Sequence, residues 1–213
     1  MENKKVEVIL FDLGNVLIDF DHKISAARIS KFTNLTPDTI YNLFFDSQLT
    51  GDFEEGKVNP MDFYNQVKEK LDLDLDYDSF VPIWNEIFFL SEKNRTVNYI
   101  TNLLKNEYRL AVLSNINALH YDYIKNNFSV FENFNNVLTS FEMKFRKPDP
   151  EIYKKALDVL GVSPDKVFYT DDRPELVEKA RELGINAFVF TGIDKLSQDL
   201  KEVGININPT ELK

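Results

Sequence analysis

The chain has 213 residues, of which 43% are hydrophobic and 28% charged, with 18 Phe and 9 Tyr. A polypeptide this apolar excludes intrinsic disorder and is long enough to bury a true core without covalent staples. Its formal net charge of −10 argues against nucleic acid or an anionic membrane as partner, because both call for clustered positive charge, and the absence of Cys excludes disulfides, thiol catalysis and thiolate metal sites.

The polar start, Met1 to Lys5, leads directly into a short apolar run that carries an acid. It is unlike a signal peptide, and no stretch approaches the roughly 18 apolar residues of a membrane helix; the expectation is a cytoplasmic protein. The first run, Val6 to Phe11, is uniformly apolar and so reads as a strand covered on both faces. It ends at Asp12, followed by Leu13, Gly14 and Asn15. From Asp19 to Leu90 the rhythm is helical: Ile24 to Phe32, Thr39 to Phe45, Pro60 to Leu71 and Tyr77 to Phe88 read as amphipathic helices, with no convincing strand. Thr96 to Lys105 predicts a helix, Leu110 to Leu113 a strand, Leu119 to Asn126 a helix and Val137-Leu138 a weaker strand.

Asp149 can cap a helix that opens on Pro150, carries the stripe Ile152, Tyr153, Ala156, Leu157 and Leu160, and ends at Gly161. Val167 to Tyr169 is a strand, Pro174 opens a helix with Gly184 at its C-cap, Ala187 to Phe190 is a further strand, and Lys195 to Glu202 a last helix. This alternation predicts a Rossmann-like, doubly wound α/β fold with a parallel sheet. The expected division is a core of residues 1–18 and 91–213 with an inserted helical domain at 19–90.

Ligands of such a sheet bind outside the carboxyl ends of its strands. The polar residues there are Asp12, Ser114 with Asn115, Lys147 before the helix at Pro150, and Asp171 with Asp172. Asp12 fits a turn acid or a carboxylate nucleophile. Ser114-Asn115 fits a turn start, or a hydroxyl with nearby backbone N–H groups for phosphate oxygens. Lys147, flanked by Pro148 and Pro150, is either a surface lysine or a cation aimed at a fixed anion. Asp171-Asp172 is more than a helix cap needs, and hard oxygen ligands suit Mg²⁺. If the ligand is a phosphate dianion, Lys147 alone leaves a strongly negative site; a divalent cation is then required for a carboxylate to approach phosphorus.

The set Val8-Ile9-Leu10-Phe11-Asp12-Leu13-Gly14-Asn15-Val16, Leu113-Ser114-Asn115, Lys147-Pro148-Asp149-Pro150 and Val167-Phe168-Tyr169-Thr170-Asp171-Asp172 resembles the haloacid dehalogenase-like (HAD) hydrolase superfamily, in its phosphatase branch. The resemblance covers essentially the whole chain. It implies a helical cap inserted after the first strand, Mg²⁺, and an aspartyl-phosphate intermediate formed on a small phosphorylated substrate. Position by position it implies Asp12 as nucleophile and metal ligand, the Gly14 carbonyl and Asp172 as further metal ligands, Asp171 as an indirect or water-mediated metal partner, and Ser114, Asn115 and Lys147 as phosphate holders.

One position departs from the pattern. Phosphatases of this family usually carry a second Asp two residues after the nucleophile to protonate the leaving oxygen, and here that place is Gly14. Asp12 to Val16, with Asn117 and His120 after Ser114, is similar to a branch that includes a glucose-1-phosphate phosphatase. His22, near the expected cap hinge, is the preferred substitute proton donor, whereas His120 reads as structural. Glu175 is a possible support for the metal, and Phe44, Phe45 and Trp84 a possible platform for a sugar ring. A haloacid dehalogenase, a phospho-accepting receiver domain and a non-catalytic binding protein are the competing readings. Dehalogenases of the family lack the Asp pair, and receiver domains carry theirs before the phosphorylated Asp.

Overall fold

Strand β1 (Val8–Phe11) is buried along its whole length, and its side chains alternate between two apolar layers, Ile9 and Phe11 in one, Val8 and Leu10 in the other. The computed structural model describes residues 6–44 and 47–207. After β1 the chain forms β2 (Asp19–Phe20), α1 (His22–Ile29), α2 (Pro37–Phe44), α3 (Gln48–Glu54), α4 (Pro60–Leu71), α5 (Tyr77–Asn85) and β3 (Phe88–Phe89). It continues through α6 (Glu92–Leu104), β4 (Arg109–Ser114), α7 (Ala118–Asn127), β5 (Asn136–Thr139), α8 (Ser140–Met143) and α9 (Pro150–Leu160), and ends with β6 (Val167–Asp171), α10 (Pro174–Glu182), β7 (Asn186–Val189) and α11 (Ile193–Glu202).

The main sheet runs β5-β4-β1-β6-β7 and every pairing in it is parallel. From β1 the chain moves to β4 and β5 on one side and then to β6 and β7 on the other. This makes it doubly wound, with a crevice at the carboxyl ends of the strands beside β1. One face is covered by α6 and α11, through Val97, Ile100, Leu196 and Leu200. The other is covered by α9 and α10, through Ile152, Tyr153, Ala156, Val177 and Ala180.

The local signals explain the element ends. The Asp149 side chain accepts from the Glu151 N–H, Pro150 occupies the first turn, and Gly161 closes α9 in the left-handed conformation at φ 63°. Gly184, also left-handed at φ 84°, lies one residue beyond the C-cap Leu183.

The helical segment between β2 and β3 has its own apolar centre, including Ile40, Phe44, Phe53, Phe63, Val67, Phe80 and Trp84. Contrary to the all-helical expectation for 19–90, β2 and β3 pair as a short antiparallel ribbon, Asp19 opposite Phe89 and Phe20 opposite Phe88, at the two points where the chain enters and leaves the helices. Helix α3 was not anticipated either, because Gly51 sits in its middle and glycine lowers helix propensity. Among the described residues no helix is long and apolar enough to cross a membrane.

Candidate active site

Parallel register brings the candidate residues to one edge. Phe11 lies opposite Val112 of β4 and Thr170 of β6, so Asp12, Ser114 and Asp171 leave three adjacent strands at nearly the same level. The Asp12 N–H donates to the Thr170 carbonyl at 2.8 Å, which fixes the first turn after β1 against the strand that carries Asp171.

Lys147 reaches this edge from the loop between α8 and α9. Its main chain is held at both ends by the Asn115 side chain: Nδ2 donates to the Lys147 carbonyl and Oδ1 accepts the Lys147 N–H, each at 2.8 Å. Its Nζ donates to Asp12 Oδ1 at 2.7 Å, Asp171 Oδ2 at 2.6 Å, the Leu113 carbonyl at 3.0 Å and the Tyr169 hydroxyl at 3.1 Å. Lys147 is only 2% exposed, so the reading of a solvent-facing lysine does not apply. Asn115 therefore acts on Lys147 with its side chain, a contact not foreseen for it.

Burial and these neighbours separate the three acids. Burial alone would depress the Lys147 ammonium, but Asp12 and Asp171 hold it above its ordinary value, a permanent cation. Asp171 is pushed up by burial and pulled down further by Lys147, the Tyr169 hydroxyl and the Arg173 N–H, so its carboxyl lies below the usual range. Asp12 is raised to about 7, mainly by burial, with Lys147 opposing and Asp171 adding to the rise. Asp172 is also raised, chiefly by burial, against a hydrogen bond from Asn15. Positive charge beside Asp12, in addition to that of Lys147, would lower its carboxyl toward the ordinary range.

One carboxylate oxygen from each of Asp12, Asp171 and Asp172 lies within 4.8 Å of the others. This all-oxygen donor set fits a hard divalent cation. Asp12, Gly14 and Asp172 line a cavity of about 400 Å³. Asp171 does not line it: the residue is fully buried, Oδ2 accepts from Lys147 and Tyr169, and Oδ1 accepts the Arg173 N–H at 2.9 Å.

The helical segment contributes to the cavity wall through Tyr41 of α2 and Ser47, Thr50 and Glu54 of α3 or its cap. Glu54 pairs with Arg146 at 3.1 Å. Ser140 Oγ donates to the Glu54 carbonyl at 2.6 Å and Lys144 Nζ to the Gly56 carbonyl at 3.0 Å, so α3 is fastened to the loop that carries Lys147.

Position 14 is filled from outside. A Cβ there would lie 2.7 Å from Phe20 Cε1; the space that an aspartate would need holds an aromatic ring. His22 lines the cavity, and its ring lies 4.9 Å from that of Phe20. Burial, partly offset by Asp21, lowers it to about 4, so near neutrality the ring is mostly the neutral imidazole and not the imidazolium that the donor expectation calls for. His120 is lowered to about 3, by burial first and then by His22. Its N–H completes the N-cap of α7 on Asn117 Oδ1 at 3.0 Å, which accounts for the Asn117–His120 spacing structurally.

Glu175 is turned to solvent and pairs with Arg173 at 2.6 Å. Phe44 and Trp84 are buried inside the helical segment and form no platform at the cavity; Phe45 lies outside the described residues. Tyr169, Asn15 and the α3 residues were missed. Only Tyr169 had a sequence signal, being two residues before Asp171 on one strand and therefore on the same face.

Comparison with known proteins gives the same answer as the strand-end geometry. The chain is 24% identical over 189 residues to D-ribitol-5-phosphate phosphatase of Bacteroides thetaiotaomicron, covering 86% of this chain and 91% of that one. It is 42% identical over 67 residues to flavin mononucleotide hydrolase 1 of Arabidopsis thaliana, a match that spans 32% of this chain and only 27% of that protein. A crystal structure of a HAD family enzyme of B. thetaiotaomicron in complex with magnesium and inorganic phosphate superposes with a TM-score of 0.74 at 26% identity, covering 86% of this chain and 93% of that one. The profile of the haloacid dehalogenase-like hydrolases matches residues 9–190, and with its parallel sheet, inserted helices and strand-end acids the chain belongs to that family.

Proposed function

We propose that the protein is a Mg²⁺-dependent phosphomonoesterase for a small phosphorylated metabolite, with Asp12 as the nucleophile. The observation that carries this reading is the Lys147 ammonium, shared between Asp12 at 2.7 Å and Asp171 at 2.6 Å beside Asp172, on the floor of a cavity roofed by helices. Relatives whose names describe phosphate-ester hydrolysis support it.

Asp12, the Gly14 carbonyl and Asp172 would hold the cation, with Asp171 acting indirectly through Lys147. Once bound, the cation would supply charge neutralisation, without which a carboxylate is repelled by a phosphate dianion. Asp12 attacks phosphorus, forming the Asp12 O–P bond as the ester P–O bond breaks. The leaving oxygen takes its proton from water, since Gly14 offers none and His22 is neutral. The hydroxide left by that water takes a proton from a second water as the latter attacks phosphorus, so that the Asp12 O–P bond breaks, inorganic phosphate is released and the carboxylate is regenerated. Lys147, Ser114 and the main chain at Asn115 hold the phosphate oxygens. Residues 19–90 act as the cap over a core of 1–18 and 91–213, and a phosphorylated polyol or sugar fits the hydroxyl-bearing wall of Tyr41, Ser47 and Thr50. The test is Asp12→Asn, expected to lower turnover of an aryl phosphate in Mg²⁺ by at least about 10³-fold; near-normal turnover would exclude the assignment.

A further inference from the structure

We propose that Asn15 is a positioning residue that orients Asp172 for the cation and ties that orientation to the strands connecting the core to the helical segment. The inference rests on the metal reading above.

Asn15 is in the left-handed conformation at φ 57°, a strained choice for most side chains that Asn tolerates better than others. That backbone does two things at once. It sends the side chain to Asp172, where Nδ2 donates to Oδ2 at 2.9 Å. It also turns the Asn15 carbonyl to Lys93 Nζ, 2.7 Å away. The same Lys93 ammonium reaches Asp19 Oδ1 at 2.7 Å, and Asn94 Nδ2 joins the Val16 carbonyl at 3.1 Å and Asp19 Oδ1 at 3.2 Å. Asp19 begins β2, paired with Phe89 of β3. A continuous polar chain thus runs from Asp172 through Asn15, Lys93 and Asp19 to the two-stranded ribbon where the chain enters and leaves the helices.

The chemistry of the link is directional. An amide N–H on one carboxylate oxygen fixes the rotation of Asp172 and leaves the carboxylate negative, which is how an outer partner orients a metal ligand. Lys93 and Asp19 are ion-paired at the base of the loop, with side chains only 34% and 16% exposed, so the loop bearing Asn15 is held from both ends. A glycine at position 15 would keep the φ and lose the Asp172 contact.

The experiment uses the full chain without substrate and measures Mg²⁺ affinity by calorimetry, alongside the melting temperature of the metal-free protein, for wild type, Asn15→Gly and Lys93→Met. Outer-partner changes typically weaken metal binding 10- to 100-fold. Asn15→Gly is expected to raise the Mg²⁺ dissociation constant by about 10-fold or more, and Lys93→Met to shift it in the same direction by a smaller factor. A purely structural role would lower the metal-free melting temperature and leave Mg²⁺ affinity unchanged in both variants, and that result would overturn the proposal. Lys93→Met has no positive-φ constraint and keeps the test decisive if Asn15→Gly folds poorly. Wild type that binds no Mg²⁺ would overturn the metal reading itself, a different failure.

Discussion

Replacing Gly14 by alanine is the sharpest probe of why this chain lacks the usual acid. Gly14 is not in the left-handed region, so alanine meets no backbone obstacle, and by restricting the unfolded chain it would stabilise the protein by about 0.4–1 kcal/mol in an open site. The site is closed: the new Cβ would stand 2.7 Å from Phe20 Cε1, against the roughly 3.5–4.0 Å of ordinary carbon contacts. Phe20 has little room to retreat, because its ring lies 4.9 Å from that of His22 and 6.1 Å from that of Phe88.

Overpacking of this kind typically costs about 1–3 kcal/mol, which for a chain of this length lowers the melting temperature by about 2–12 °C. In a Phe20→Ala background the same substitution should be neutral or stabilising, so a double-mutant cycle of thermal unfolding is expected to show coupling above about 1 kcal/mol. Equal effects of Gly14→Ala in the two backgrounds would refute the argument. The functional arm installs Gly14→Asp together with Phe20→Ala. A general acid contributes about 10²–10⁴-fold where the leaving group needs a proton, so kcat/KM should rise for a primary alkyl phosphate relative to an aryl phosphate. Gly14→Asp alone should not produce that gain.

Two further outcomes follow from the charges. His120 is about 3 in the folded protein against an ordinary value of 6.5, so the unfolded chain binds a proton that the native state refuses between those values. The stability conferred by neutral His120 is complete above about pH 6.5 and is lost as pH falls toward 3, at about 1.4 kcal/mol per pH unit. Raised Asp12 acts with the opposite sign, so the measurement is the difference between wild type and His120→Leu across pH 4–8; a difference that does not shrink on acidification would contradict the burial argument. Mg²⁺ at 100 times its dissociation constant should stabilise the protein by about 2.7 kcal/mol, a rise in melting temperature of about 5–11 °C at this chain length, and chelation or Asp172→Ala should abolish it. A melting temperature indifferent to Mg²⁺ would remove Asp12 and Asp172 as cation ligands.

Much of the fold is visible in local signals. Runs such as Val8–Phe11 and Val167–Tyr169, apolar at every position, mark strands covered on both faces, and Asp149, Pro150 and Gly161 delimit α9 by their own backbone preferences. The order Asp12, Ser114, Lys147 and Asp171-Asp172 after those strands carries the resemblance to the family, and parallel strands bring those ends to one edge. Tertiary structure decided what depends on residues distant in sequence. Two-residue strands such as β2 and β3 have no periodicity of their own and exist because Asp19 and Phe89 meet. Whether Lys147 is a surface cation or a buried clamp depends on Asn115, 32 residues away, and on burial between two carboxylates. That Gly14 makes room for Phe20, and that burial holds the His22 imidazole below its ordinary range at the cavity, follow from packing and desolvation, which no local pattern encodes.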